Sequence, residues 1–117
     1  MQNITILALT RVAPAAVAKR RFVDFDGSQV DVAGAKPLGV SQYDAKAGDA
    51  YAVDVLGTSK VEAGVAIPLG PKGLTPLMSA ADGRAVPHDG TAGTAIACYA
   101  LTPATGPGSV IEVLLRL

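Results

Sequence analysis

Glycine and proline interrupt this chain at short intervals from residue 14 onwards, and that spacing restricts its fold more than any other feature. Thirteen glycines and eight prolines are distributed over 117 residues. Proline breaks a helix interior and glycine weakens it, so segments interrupted this often favour short strands joined by turns. No segment after residue 21 shows a sustained helical period. The sequence therefore predicts an all-β fold.

Apolar and polar residues alternate on both sides of the Asp26-Gly27 pair, in residues 22–25 and 29–32. Alternation around Asp-Gly is typical of a β-hairpin. Further short strands are predicted at residues 38–41, 51–62 with a bend at Gly57, 74–78, 85–86, 94–100 and 110–117. Short strands at this spacing predict a small β-barrel or sandwich.

The first 20 residues differ from the rest of the chain. Residues 4–9 are an apolar stretch that is compatible with a strand, and Pro14 ends it. Residues 15–21 form either one or two helical turns, with the cations at the C-terminal end where the helix dipole favours them, or an extended arm. We favour an arm that becomes ordered on contact with a partner. The chain is accordingly divided into an N-terminal arm, 1–20, and a β-rich domain, 21–117.

The composition is a first indication of an oligomer or an assembled state. Half of the residues are apolar, but aromatic residues make up only 4% and there is no Trp. Alanine buries little area per residue, so the core of one copy is thin and association would add to its stability. Ten basic and ten acidic residues cancel. A duplex-binding domain usually has a clear basic excess, so this balance argues against a nucleic-acid partner.

The residue types that usually carry catalysis or bind metal are scarce. Cys98 is the sole cysteine and lies in a predicted buried strand, whereas His88 is the sole histidine and lies in a predicted loop. Asp24 and Asp26 resemble the start of a calcium loop, but the later ligands of that motif are missing. Residues 70–73 lack the spacing of a phosphate-binding loop. We expect no enzyme activity, no metal and no cofactor.

A basic run, Lys19-Arg20-Arg21, with Arg11 upstream, is the one charged feature that stands out. Three interpretations remain open: a solvated segment, an arm that docks on an acidic protein surface, or a nucleic-acid contact without stacking aromatics. Under the second interpretation the contact residues of the arm are Ile4, Ile6, Leu7, Arg11, Lys19, Arg20 and Arg21.

Several short motifs occur in an order that is similar to a known family. They are Arg21-Phe22-Val23-Asp24-Phe25-Asp26-Gly27, Gly34-Ala35-Lys36-Pro37-Leu38-Gly39-Val40, Ala47-Gly48-Asp49, Val61-Glu62-Ala63-Gly64, Ala81-Asp82-Gly83-Arg84-Ala85 and Gly108-Ser109-Val110-Ile111-Glu112-Val113-Leu114-Leu115. Together they resemble the small capsid cement, or head decoration, proteins of tailed phages, over residues 21–117.

That resemblance implies a structural virion protein that is made in the host cytoplasm and sits on the outside of the capsid. It implies homotrimers, the major capsid protein as partner, and an extended N-terminal part lying on that partner. No catalytic residues are implied. The alternative is another virion component or a carbohydrate-binding β module.

Overall fold

In the computed structural model, which describes residues 3–91 and 93–115, the chain forms eight β-strands. The strands are β1 (Thr5–Val12), β2 (Phe22–Val23), β3 (Gly39–Ser41), β4 (Ala50–Glu62), β5 (Pro76–Ser79), β6 (Ala85–Pro87), β7 (Cys98–Ala100) and β8 (Val110–Leu115). One short 3-10 turn, Pro71–Gly73, precedes β5. The described residues contain no α-helix, and hence no helix that could cross a membrane.

The strands form one antiparallel sheet that curls into a nearly closed barrel, as the sequence predicts. The order along the sheet is β2-β3-β4-β8-β7-β5-β6, and β1 is attached separately to β4. Asp54 of β4 pairs with both Ala8 of β1 and Val40 of β3. A residue can pair on both sides only if the two neighbours lie on opposite edges. Therefore β1 lies on the edge of β4 opposite β3.

Two apolar clusters hold the sheet together. The larger one fills the barrel and contains the buried side chains of Phe22, Val61, Ile67, Leu77 and Ile111 among others. The smaller one contains Ala13, Val17, Val23, Ala45, Tyr51, Val53 and Val55. The two clusters draw mainly on Val and Ala, so the sequence expectation of a core with few aromatic rings agrees with the packing.

Most of the predicted strands are found, with some differences in length, but the strand predicted at residues 29–32 does not form, and residues 116–117 of the strand predicted at 110–117 lie outside the described residues. β4 runs through the predicted bend at Gly57, whose φ of 109° marks an irregularity that only glycine adopts easily. The Asp26-Gly27 turn forms, with Gly27 N–H donating to the Asp24 carbonyl, but Val23 and Gln29 make the only strand-like bridge across it. Of the predicted strand at 94–100, only the last three residues pair in β7.

The N-terminal segment lies against the sheet. β1 pairs with β4 along its length, and Val17 exchanges two backbone hydrogen bonds with Ala45, at 2.8 and 2.9 Å. Residues 15–21 are not helical. The division into an arm at 1–20 and a domain at 21–117, and the reordering of that arm on a partner, stay predictions.

Candidate interaction surface

The most unusual surface of the described part is β1 itself. Ile4, Ile6, Leu7 and Val12 are all exposed, and Ile6 is 72% exposed. Among the described strands, β1 pairs only with β4, so its other edge is open. A long apolar edge strand is a site for association, because its unpaired backbone groups accept another strand and its side chains gain from burial. We call Ile4, Ile6, Leu7 and Val12 the β1 surface.

Two of the predicted contact cations are engaged inside the protein. The Nε of Arg11 donates to the Phe25 carbonyl at 3.1 Å, which ties the Asp-Gly turn to the end of β1. The Nη2 of Arg21 donates to Glu62 Oε2 at 3.2 Å, and its Nη1 donates to the Asp82 carbonyl at 3.0 Å. These contacts give both arginines a role in the fold, whereas contact with a partner stays a prediction for them.

The other two cations are not paired within the described residues. Lys19 is exposed, and only its backbone N–H is engaged, donating to Asp44 Oδ1 at 2.8 Å. Arg20 is half-buried and makes no ion pair there. The backbone of Arg20 is left-handed, with φ at 58°, an unusual conformation for a residue other than glycine. The structure thus leaves the charges of Lys19 and Arg20 available.

A depression opens on the face shared by β1 and β4, next to Arg20. It is lined by Asn3, Thr5, Ala8, Arg20, Gln42, Tyr43, Ala52, Asp54 and Lys60. Tyr43 is 71% exposed at this depression, whereas Asp54 is 4% exposed. We call this feature the Asp54 depression.

Asp54 belongs to a short polar chain beneath the depression. Gln42 Nε2 donates to Ser59 Oγ at 2.7 Å, and Ser59 Oγ donates to Asp54 Oδ2 at 2.9 Å. Lys60 also lines the depression, and no ion pair within 4 Å joins it to Asp54 among the described residues. The Asp54 depression therefore combines two half-buried cations, Arg20 and Lys60, with the buried carboxylate of Asp54, of which one oxygen accepts a hydrogen bond.

Sequence reasoning identified Arg20 but missed Asp54, Lys60 and Tyr43. Asp54 and Lys60 lie within an alternating strand, where a charged residue is usually taken to face solvent. Residues 42–43 follow β3 in a segment without regular structure. These residues come together with Arg20 only through the pairing of β1 and β3 with β4. Pairing between distant strands leaves no pattern in the sequence.

A second, more apolar depression lies elsewhere on the surface. It is lined by Lys72, Gly73, Leu74, Tyr99, Ala100, Leu101 and Leu114. Leu74 and Leu101 are exposed. This depression shares no lining residue with the Asp54 depression, so the chain has two distinct surfaces suited to contacts.

Cys98 and His88, the residue types most often used in catalysis or metal binding, both have a structural role in the fold. Cys98 is fully buried, and that burial raises the pKa of its thiol far above the ordinary value. The ring of His88 contacts Thr94 and accepts from the N–H of Gly90 at 3.0 Å, so it organises its own loop. Among the described residues, no group of three or more His, Cys, Asp or Glu is placed to hold a metal ion.

Comparison with known proteins identifies a family and a related solved structure. A family model described as phage cement protein matches residues 1–117. The solved structure of the head fiber gp8.5 N base of bacteriophage phi29 is similar, with a TM-score of 0.71 and 26% sequence identity. The match covers 94% of this chain and 93% of that one. No curated protein matches the chain.

Proposed function

This chain belongs to the phage cement protein family and is a structural protein of a phage capsid; from that premise we propose that it binds the outer surface of the capsid and stabilises it, as trimers. The family is a family of structural proteins and not of enzymes. The partners proposed are the major capsid protein and other copies of this chain.

The observation that carries this proposal is the β1 surface. Four large aliphatic side chains are exposed on or beside a single edge strand, and Ile6 is 72% exposed. Leaving such a strand uncovered invites aggregation, so a stable working state requires a partner that covers it. A capsid shell presents a fixed partner at high local density, which suits a protein that gains stability by association.

The contact residues proposed are those of the N-terminal segment: Ile4, Ile6, Leu7, Arg11, Lys19, Arg20 and Arg21. The aliphatic members supply area, whereas Lys19 and Arg20 supply charges that have no ion pair among the described residues. Charges at the rim of an apolar contact fix its register and speed encounter. For Arg11 and Arg21, contact with the capsid would have to coexist with their internal hydrogen bonds.

The apolar depression at Leu74 and Leu101 supports self-association. It shares no lining residue with the Asp54 depression. A trimer would bury apolar surface that one thin-cored copy leaves exposed.

Two measurements test the proposal. Light scattering on the purified protein gives its mass, and three times the chain mass is expected. Sedimentation with empty capsids of the corresponding phage gives occupancy, which should be saturable, and occupied capsids should withstand higher temperatures than bare ones. Absence of saturable binding would contradict capsid attachment, and binding without a gain in heat resistance would contradict stabilisation.

A further inference from the structure

The Asp54 depression contains a buried carboxylate that forms no ion pair within 4 Å among the described residues. Asp54 is 4% exposed, and its one hydrogen-bond donor among the described residues is the Ser59 hydroxyl. Buried carboxylates are normally paired with a cation or satisfied by several donors, because removing the charge from water is costly. Asp54 lines the depression, so its remaining acceptor capacity is open to a ligand that carries a donor.

Arg20 is held beside this carboxylate in a conformation that the chain has to enforce. Its N–H donates to the Ser41 carbonyl at 2.7 Å, and its own carbonyl accepts from Glu62 N–H at 2.9 Å. These two bonds, to the end of β3 and the end of β4, fix φ at 58°. Residues held in such strained conformations occur often at ligand sites. The arrangement fixes the backbone from which the Arg20 side chain lines the depression.

Lys60 supplies a second cation, and small side chains leave the space between the walls open. Ala8 and Ala52 line the depression on neighbouring strands. Small residues on a sheet face allow another main chain to approach closely. The depression therefore offers two positive groups, one negative acceptor and a flat floor.

We infer that the Asp54 depression binds an acidic residue in an extended segment of the major capsid protein. The carboxylate of that residue lies between Arg20 and Lys60, and a main-chain N–H of the same segment donates to Asp54. One Asp or Glu residue in an extended chain carries both groups within a few ångströms. This inference rests on the proposed attachment to the capsid. It specifies the polar contacts that would fix the position of this chain on the capsid protein.

Charge complementarity favours this ligand over a nucleic acid. Two cations and one carboxylate line the depression, and Glu112 pairs with Lys60 across β4 and β8, so the site has little net positive charge. A nucleic acid would bring a row of phosphates close to Asp54. A single carboxylate is complementary to the two cations, and the N–H beside it is complementary to the Asp54 carboxylate. The bidentate guanidinium of Arg20 is well suited to a carboxylate.

The test compares capsid binding of the wild type with Arg20→Asn and Lys60→Gln, alone and combined. Asparagine tolerates left-handed backbone, so Arg20→Asn removes the charge without a new strain. Lys36→Gln is the control for loss of a positive charge, because Lys36 is exposed, makes no ion pair among the described residues and lines neither depression. Sedimentation with empty capsids at several salt concentrations gives the affinities.

We expect the double variant to bind at least about tenfold more weakly than the wild type and to lose most of the salt dependence. The Lys36→Gln control should bind like the wild type. Circular dichroism and the thermal midpoint show whether each variant is folded. If Arg20→Asn unfolds, the comparison rests on Lys60→Gln, because Lys60 is half-exposed and its substitution should leave the fold intact.

Other outcomes separate the inference from the function it rests on. Wild-type binding that the double variant leaves unchanged would overturn the inference alone. Wild type that ignores capsids would overturn both. If the double variant instead loses self-association in the absence of capsids and still binds them, the depression belongs to a second copy. If it instead loses glycan binding on an array while capsid binding is intact, the ligand is a sugar. Either result would overturn the inference.

Discussion

Arg21 and Glu62 are 41 residues apart in the sequence, yet the Nη2 of Arg21 lies 3.2 Å from Glu62 Oε2. Arg84 Nε lies 2.6 Å from the same oxygen, as an ion pair whose N–H is not aligned for a hydrogen bond. The three side chains are half-buried. One carboxylate thus joins the entry to β2, the end of β4 and the turn before β6.

Glu62→Gln should destabilise the fold, because it leaves two half-buried guanidinium groups without their shared negative partner. The expected loss is about 1–3 kcal/mol in the free energy of unfolding, measured by urea denaturation. Asp82→Asn is the control: its side chain is 55% exposed and 3.7 Å from Arg84, so a loss under about 0.5 kcal/mol is expected. Equal effects of the two substitutions would contradict the role of Glu62.

Gly57→Ala should detach β1 from β4. At φ 109°, an added Cβ would collide with the main-chain oxygen of Ile4, so both strain and a clash result. A loss of more than about 2 kcal/mol is expected, measured by thermal unfolding. Gly48→Ala is a matched control, since Gly48 has φ 88° but nothing within 4 Å of the added atom, and it should lose about 1 kcal/mol. A similar loss for both would show that the β1 contact is unimportant.

Asp24→Asn should stabilise the protein slightly at neutral pH. Burial, with the negative charges of Asp26 and Asp31, raises the pKa of Asp24 in the folded state. Ionised Asp24 therefore opposes folding above its folded pKa, and the penalty disappears below its unfolded pKa of about 3.9. The substitution should raise the thermal midpoint at pH 7 and leave it unchanged near pH 3.

Asp26→Asn is the comparison variant, and it should lower the thermal midpoint at pH 7 instead of raising it. Hydrogen bonds from Ser28 hold the pKa of Asp26 below its ordinary value. The stability that ionised Asp26 contributes is present above its unfolded pKa and is lost as the pH falls through its folded pKa. A lower midpoint for Asp24→Asn than for the wild type at pH 7 would contradict the assignment.

Ile6→Lys should weaken capsid binding and leave the fold intact. Ile6 is 72% exposed, so a change of less than about 0.5 kcal/mol in folding stability is expected. If the β1 surface is covered on the capsid, burying a lysine there should reduce affinity about tenfold or more. Val32→Lys, on a loop at 62% exposure, is the control and should bind normally. Sedimentation with capsids distinguishes the two, and equal binding would exclude Ile6 from the contact.

Local sequence was sufficient to define most of the strands. Alternation of apolar and polar residues marks β3, β4 and β8, and the glycines mark where strands end, because a strand's side-chain period and a turn's backbone angles are local properties. At residues 29–32 and 94–97 that reasoning failed. The pattern predicts strands there, but residues 29–32 make one isolated bridge, and residues 94–97 make one hydrogen bond to a strand, from Ala97 N–H to the Leu77 carbonyl. Strand pairing is not a local property.

The surroundings of the charged residues in β4 could not be predicted from the sequence. Asp54 and Lys60 look alike in the sequence, as charged residues in one strand, yet Asp54 is buried and Lys60 is half-exposed. The difference arises because β1 and β3 flank Asp54 on both edges of β4. Burial of a strand residue depends on what packs over it, and no periodicity encodes that.

The sequence was thus sufficient to predict the all-β fold and the family, which the structure and the comparisons confirm. The tertiary structure was needed to show that Arg21 pairs with Glu62, that Arg20 lines the Asp54 depression without an ion pair among the described residues, and that Ile6 is exposed on β1. The physical reason is distance along the chain: turns and strands arise from neighbouring residues, whereas ion pairs, buried charges and open edges arise where strands tens of residues apart come into register.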